Sequence, residues 1–322
     1  MTLRLGLLST AKINGAVLAG AALTDAVDVV AVASRDEPRA QAYAAEHGIP
    51  RSHGSYEALL ADPDVDAVYV SLPNSLHVEW SVRALEAGKH VLCEKPLTRR
   101  AADATAAFDA AERAGRVLAE AFMWRHHPQA LRLQELVRDG AVGEVRMVRA
   151  AFSFTSVREG DVRLQAALDG GALMDVGCYC VSGMRFAAGE PVRVSGRQLA
   201  GGDGVDVRFT GTAEFGGGAL GSFDCGLDLP RRAELEIIGA DGVLFLADPW
   251  TARAPLIELR RDDDTERVEI EAADPYACEL EDLAAAARGE RPPRYGREDA
   301  TAQARVIAAL YESAERGADV EP

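Results

Sequence analysis

Apolar residues in the first third of the chain come in short runs separated by longer, Ala-rich stretches. The runs fall at 28–33, 66–71, 90–93 and 116–121, after a first one at 3–8. They are rich in Leu, Val and Ala and bounded by turn residues, the pattern of strands buried on both faces. The stretches between them carry Ala and Leu, strong helix formers, and Gly48, Gly88 and Gly115 stand where helices end. Strand and helix alternating at this spacing predict a parallel sheet covered by helices, an α/β doubly wound domain over residues 1–122.

After Phe122 the rhythm changes. A helix is predicted over 128–138, leading through Gly140 and Gly143 into an alternating run at 145–154. Further strand runs at 206–215, 219–227, 233–238, 256–260 and 267–271 are joined by short polar or Gly-rich links such as Phe215-Gly216-Gly217-Gly218-Ala219. Such links connect antiparallel neighbours rather than crossovers. Residues 123–322 are therefore expected to form an α+β domain with a large, mainly antiparallel open sheet backed by helices, ending in an amphipathic helix at 297–316.

Composition narrows the function. A chain of 322 residues exceeds what a single core usually holds, so two domains are expected. A net charge of -16 opposes nucleic-acid binding, which needs clustered Lys and Arg. No run approaches the roughly 18 apolar residues of a membrane span, and the strand-like start at Met1-Thr2-Leu3 leaves no room for a signal peptide, so a cytoplasmic protein is expected. Cys93, Cys178, Cys180, Cys225 and Cys278 lack paired metal-site spacing and read as buried reduced thiols, with no metal.

The first strand runs into a helix through Ser9-Thr10-Ala11-Lys12-Ile13-Asn14, where a dinucleotide fold holds a pyrophosphate on the helix N-terminus. The glycines of G-x-G-x-x-G would fall at Ser9, Ala11 and Asn14, so the loop matches in position and side-chain size only. The second strand is more telling. An acidic residue for a free ribose 2'-hydroxyl would follow it directly, yet Ser34 and Arg35 come first, with Arg39 near and Asp36 behind. A guanidinium fork and a hydroxyl suit the 2'-phosphate of NADP, with NAD a weaker possibility through Asp36.

Three further segments carry a resemblance: Ser71-Leu72-Pro73-Asn74-Ser75-Leu76-His77, then Cys93-Glu94-Lys95-Pro96-Leu97, then Gly170-Gly171-Ala172-Leu173-Met174-Asp175-Val176-Gly177-Cys178-Tyr179. With the first turn they resemble the Gfo/Idh/MocA oxidoreductases across essentially the whole chain. Ala119-Glu120-Ala121-Phe122-Met123-Trp124-Arg125, and Tyr179 where many relatives carry histidine, point to the branch holding glucose-fructose oxidoreductase, NADP-dependent D-xylose dehydrogenase and dimeric dihydrodiol dehydrogenase. The resemblance implies a Rossmann NADP-binding domain followed by a substrate-binding and oligomerisation domain.

Ligands of open parallel sheets sit beyond the strands' carboxyl ends, where Ser9, Ser34, Pro73 and Glu94 to Pro96 fall. The candidate cofactor residues are Ser9, Thr10, Ala11, Lys12, Ile13, Ser34, Arg35, Arg39, Leu72, Pro73, Asn74, His77, Glu94, Lys95, Pro96, Trp124 and Arg125. Lys95 can hydrogen-bond a reacting oxygen and stabilise charge growing there, and a neutral phenol such as Tyr179 can pass a proton either way. Asp175 and Tyr179, four apart on a helix, share a face. The resemblance favours Tyr179 as general acid/base with Lys95 as electrostatic partner; the opposite assignment is chemically sound. Trp124, Arg125, Phe154 and Trp250 join these three as candidate substrate residues, Trp250 as a ring wall for a sugar.

The substrate expected is the anomeric hydroxyl of an aldose such as xylose or glucose. A trans-dihydrodiol or dicarbonyl substrate is the alternative, needing a more apolar pocket. A non-catalytic NADP-binding regulator is a third reading, opposed by intact Lys95, Asp175 and Tyr179. A homodimer or homotetramer through the C-terminal sheet is expected, on the condition that its outer face is apolar.

Overall fold

The computed structural model describes residues 1–155 and 160–322. In chain order its elements begin with β1 (Leu3–Leu8), α1 (Asn14–Ala21), β2 (Val27–Ala33), α2 (Glu37–His47), β3 (Arg51–His53), α3 (Tyr56–Leu60), β4 (Ala67–Val70), α4 (His77–Glu86), β5 (His90–Glu94), α5 (Ala101–Ala114) and β6 (Leu118–Ala121). Then come α6 (Pro128–Arg138), β7 (Val145–Thr155), a π-helical turn (Leu173–Gly177), α7 (Cys178–Ala188), β8 (Pro191–Ala200), β9 (Asp206–Phe215), β10 (Leu220–Gly226), β11 (Asp228–Gly239), β12 (Val243–Leu246), β13 (Leu256–Arg261), β14 (Asp264–Glu269), α8 (Pro275–Ala287) and α9 (Arg297–Arg316).

The chain divides into two compact units, residues 1–123 with 274–301 and residues 124–273 with 302–322. The first holds a six-stranded parallel sheet in the order β3-β2-β1-β4-β5-β6, which reverses direction of growth between β1 and β4. Leu5, Leu7, Val32 and Tyr69 on these strands are fully buried, which explains the continuous apolar runs.

Residues 274–301 pack with this first unit, whereas sequence order groups them with the second domain. Leu280, Leu283 and Ala284 of α8 join Leu3, Leu5, Leu7 and Val17 in one core. Gly20 of α1 makes the approach possible, since a Cβ there would sit 2.8 Å from the Ala277 nitrogen. Burying each such leucine contributes about 1.5–3 kcal/mol, enough to fix a returning helix far from its sheet in sequence.

The second unit is built on an eight-stranded sheet, β14-β13-β12-β11-β7-β10-β9-β8, antiparallel except where β10 runs parallel to β7. Two of its strands, β8 and β12, escape the hydrophobic pattern. β8 is an edge strand with mostly exposed positions, and β12 has only four residues. The outer face carries Arg149 paired with Glu236 and Arg232 paired with Asp224, with Arg260 over the Phe245 ring. The apolar outer face on which the oligomer expectation was conditional is thus replaced by charged pairs. Among the described residues no helix is long and apolar enough to cross a membrane.

Candidate active site

In the first unit the loops at the carboxyl ends of the strands gather around the reversal between β1 and β4. Ser9 follows β1 with φ 143°, a conformation that glycine adopts freely and an L-residue rarely does. Its hydroxyl compensates, lying 2.8 Å from the Ser71 hydroxyl beyond β4 and accepting from the Ala11 N–H at 3.1 Å. Asn14, fully buried at the start of α1, donates its amide to the Ser9 carbonyl at 2.8 Å. The missing glycines of the fingerprint are therefore replaced by two polar side chains that tie the turn. No acidic residue occupies the first turn of α1, which leaves that helix end suited to a phosphate.

Beyond β2, Ser34 is buried and accepts from the Asp36 N–H, while Arg35 and Arg39 are exposed. The Arg39 guanidinium donates through Nε to the Thr10 hydroxyl at 2.7 Å, so a basic group lies directly over the first turn. Both arginines also face Tyr56, whose phenol burial pushes up while the two cations oppose the shift. Asp36, the residue that could serve a ribose hydroxyl, instead caps α2 by accepting the Arg39 N–H at 2.8 Å. A hydroxyl and two guanidiniums with the nearest carboxylate engaged form a donor set that fits a 2'-phosphate.

The turn carrying Lys95 is braced from several sides. The Tyr69 phenol donates to Glu94, which also accepts the Lys95 N–H at 3.2 Å. Glu120 of β6, buried, accepts the Leu97 N–H at 2.7 Å. The His77 ring joins two loops, with Nδ1 2.9 Å from the Pro96 carbonyl and Nε2 2.8 Å from the Leu72 carbonyl. His77 is 1% exposed, its ring set between the Lys95 turn and the loop beyond β4, where a single tautomer donates to one of the two carbonyls. Glu94 likewise acts as a brace. Pro73 and Asn74 are half-buried beyond β4, and Lys95 is half-buried at the end of β5. Tyr69 and Glu120 had no role assigned from the sequence; a carboxylate among the apolar residues of 117–121 was the available signal for Glu120.

In the second unit, Asp175 lies within the π-helical turn and Tyr179 in the first turn of α7, so the two do not share one regular α-helix. Asp175 pairs with Arg163, Nε to Oδ2 at 2.8 Å, a partner that sequence reasoning missed. The nearby carboxylates Asp175 and Asp161 hold the Arg163 guanidinium above its usual range against the cost of burial. The same guanidinium lies 5.8 Å from the Phe154 ring. Tyr179 is 8% exposed and packs its ring edge-on to Phe152 at 5.3 Å and tilted to Trp250 at 6.0 Å.

Trp250 is fully buried, its indole donates to the Ala151 carbonyl at 3.0 Å, and Trp124 meets it edge-on at 5.2 Å. This corrects the expected ring wall: Trp250 is the floor beneath Tyr179, with no face left for a sugar. Trp124 and Arg125 are also buried, the former against Phe186 and the latter with its guanidinium 5.9 Å from the same ring. Cys93, Cys178, Cys180 and Cys225 are buried thiols outside any disulfide, and burial pushes Cys93, Cys180 and Cys225 well above the usual thiol range. Among the described residues no cluster of three His, Cys, Asp or Glu is arranged to hold a metal.

A parallel sheet with phosphate-binding loops at its switch point, joined to an α+β unit presenting a braced tyrosine, defines a dinucleotide-dependent oxidoreductase. The chain belongs to the Gfo/Idh/MocA family: residues 9–122 match the oxidoreductase family model with an NAD-binding Rossmann fold, and residues 130–245 match the Gfo/Idh/MocA C-terminal domain. It is 43% identical to D-xylose 1-dehydrogenase (NADP(+)) 2 of Haloferax volcanii, over 98% of both chains. Among solved structures it resembles a 3-ketoreductase from Actinomadura kijaniata in complex with NADP and TDP-benzene, with TM-score 0.92 and 32% identity, over 97% of this chain and 98% of that one. It also resembles an aldose-aldose oxidoreductase from Caulobacter crescentus, with TM-score 0.93 and 27% identity over 100% of both.

Proposed function

We propose that the protein is an NADP-dependent aldose 1-dehydrogenase acting on the anomeric hydroxyl of a pentose or hexose of the xylose or glucose type. The carrying observation is the phenol of Tyr179, set on a rigid aromatic floor four residues from the Asp175–Arg163 pair. A proton-handling group beside paired charges suits a polyol, which offers several hydroxyls to donate and accept. It suits an apolar dihydrodiol less well. The likeness to a D-xylose dehydrogenase over nearly the whole chain supports the same substrate class.

The nicotinamide, when bound, supplies the hydride chemistry. Thr10, Ser34, Arg35 and Arg39 would hold the adenosine 2'-phosphate, and the start of α1 the pyrophosphate. Lys95 donates to the reacting oxygen and stabilises the negative charge that it carries once its proton has left, or that grows on it in reduction as hydride adds to the carbonyl carbon. Tyr179 passes the hydroxyl proton, accepting it as the phenolate in oxidation and returning it as the phenol in reduction. Asp175 and Arg163 orient the sugar's other hydroxyls.

Purified protein mixed with NADP or NAD and a panel of aldoses, inositols and diols tests this reading by the absorbance of the reduced cofactor. Turnover is expected with NADP and xylose or glucose. Cofactor binding without turnover on any of them would favour the regulator instead.

Arg35→Ala is expected to raise the KM for NADP by about 10- to 100-fold, the loss of one charge-assisted hydrogen bond, with little change for NAD. Equal losses for both cofactors would remove Arg35 from 2'-phosphate recognition.

The reading places the enzyme in the cytoplasm. A homodimer or homotetramer through the eight-stranded sheet belongs to it, and would join charge-paired faces. Sedimentation should then show association weakened by salt, because exposed ion pairs are screened within about 8–10 Å at 0.1–0.15 M; salt-independent association would point to another surface.

A further inference from the structure

Asp206 opens β9 and is 2% exposed, one of few carboxylates in the interior of the second unit. Burial of an ionised carboxylate is costly unless donors converge on it, and here they do. Oδ2 accepts the Leu173 N–H at 2.7 Å, with the Ala172 N–H also directed at the group, and the Tyr311 phenol of α9 donates to Oδ1 at 2.8 Å. The acid therefore caps the start of the π-helical turn that carries Asp175 and leads into Tyr179. Glycine at 171 is what allows the approach. Its φ is +124°, and a Cβ there would overlap Asp206 Oδ1. Gly170 is required for a similar reason, since its Cβ would overlap the Arg163 carbonyl, and Arg163 is the residue that pairs with Asp175.

We propose that Asp206, as a carboxylate, is a positioning residue for the reaction: it sets the start of the helix that holds Asp175 and Tyr179, and releases it when protonated. The proposal rests on the reading of Tyr179 as the proton-handling group. A carboxylate accepts all three donors at once, and an acceptor charge at a helix N-terminus also favours the helix dipole. The protonated acid carries a hydrogen that must itself be donated, so one of the three contacts is lost.

Burial, only partly offset by the donors at Leu173, Tyr311 and Ala172, pushes Asp206 up to about 6. The titratable group facing it from α9 is Tyr311, and from β10 it is Cys225, whose thiol is pushed well up by its own burial. From β8 its register neighbour is Ala200, and Asp175, on the segment that it holds, is engaged with Arg163. The folded-state value lies above the ordinary carboxylate range, so stability contributed by this group falls as pH rises from about 4 to about 6. The charge present at neutral pH is held against that cost.

The test uses the full chain and the pH dependence of kcat from 4.5 to 8.5. Wild type is expected to lose kcat through an acid limb centred near 6. Asp206→Asn keeps the shape and removes the charge; it is expected to lower kcat by about 10- to 100-fold, the cost of a small misplacement at the reacting centre, and to lose that limb while its Tm at pH 8 does not fall. Tyr311→Phe removes one donor and leaves the charge, so the limb is expected to move to higher pH. A limb that stays at the same pH in Tyr311→Phe, or that survives in Asp206→Asn with wild-type kcat, would overturn the proposal. If wild type turns over no sugar, the Trp emission of the Trp124–Trp250–Tyr179 cluster reports instead. A transition near pH 6 in wild type that is absent from Asp206→Asn supports the positioning role independently of activity, and an identical trace in both overturns it.

Discussion

Lys95→Ala is expected to lower kcat by about 10²- to 10⁴-fold while NADP still binds, the range lost when one positioned proton-transfer or charge-stabilising group is removed. The prediction is clean because the turn holds its shape without the Lys95 side chain. Glu94 braces it from Tyr69, Glu120 holds the Leu97 N–H, and His77 holds the Pro96 carbonyl. The ammonium can thus be deleted with little effect on the fold, and a Tm within a degree or two of wild type would accompany the lost rate. Cofactor fluorescence measures the retained binding. A kcat within tenfold of wild type would take Lys95 out of the chemistry.

Tyr179→Phe is the companion experiment and is expected to cost a similar 10²- to 10⁴-fold in kcat, with KM changed far less. Phenylalanine keeps the ring contacts with Phe152 and Trp250, so the substitution removes only the hydroxyl. Near-normal turnover would exclude the phenol and leave Lys95 as the proton acceptor. The double variant then separates partnership from independence. Two groups acting as a unit give a double loss no larger than the worse single loss, whereas independent groups multiply.

The first five strands proposed from the hydrophobic runs are all present, because a strand buried on both faces leaves an unbroken apolar signature. The runs at 3–8 and 206–215 and the helices at 128–138 and 297–316 have the boundaries expected. β3 is missed because its three residues are all half-buried, too short and too mixed to give a period. The helix α8 is missed as a part of the first unit because nothing local in Pro275–Ala287 says which sheet it will cover.

The candidate site was legible in the same uneven way. Glu94-Lys95-Pro96 at the end of β5 and Asp175 with Tyr179 at the head of α7 could be located from motif and position. The functions of their neighbours could not. His77 has the right place for a ligand contact and its ring also packs between the carbonyls of Leu72 and Pro96, and Trp250 has the right chemistry for a sugar wall and lies fully buried.

What the sequence by itself determined is whatever depends on residues near one another in the chain: the alternation of strands and helices, the strand ends at which the reactive groups stand, and the order Ser34-Arg35-Asp36 that puts a basic residue before the acid. Tertiary structure decided the rest. It turned Asp36 to cap α2, let Ser9 take a glycine's backbone angle by bonding to Ser71, and brought Asp206 against Gly171. Each of the last two joins residues more than thirty positions apart. Such contacts have no local period, and they exist only once buried polar groups must find partners in the packed interior.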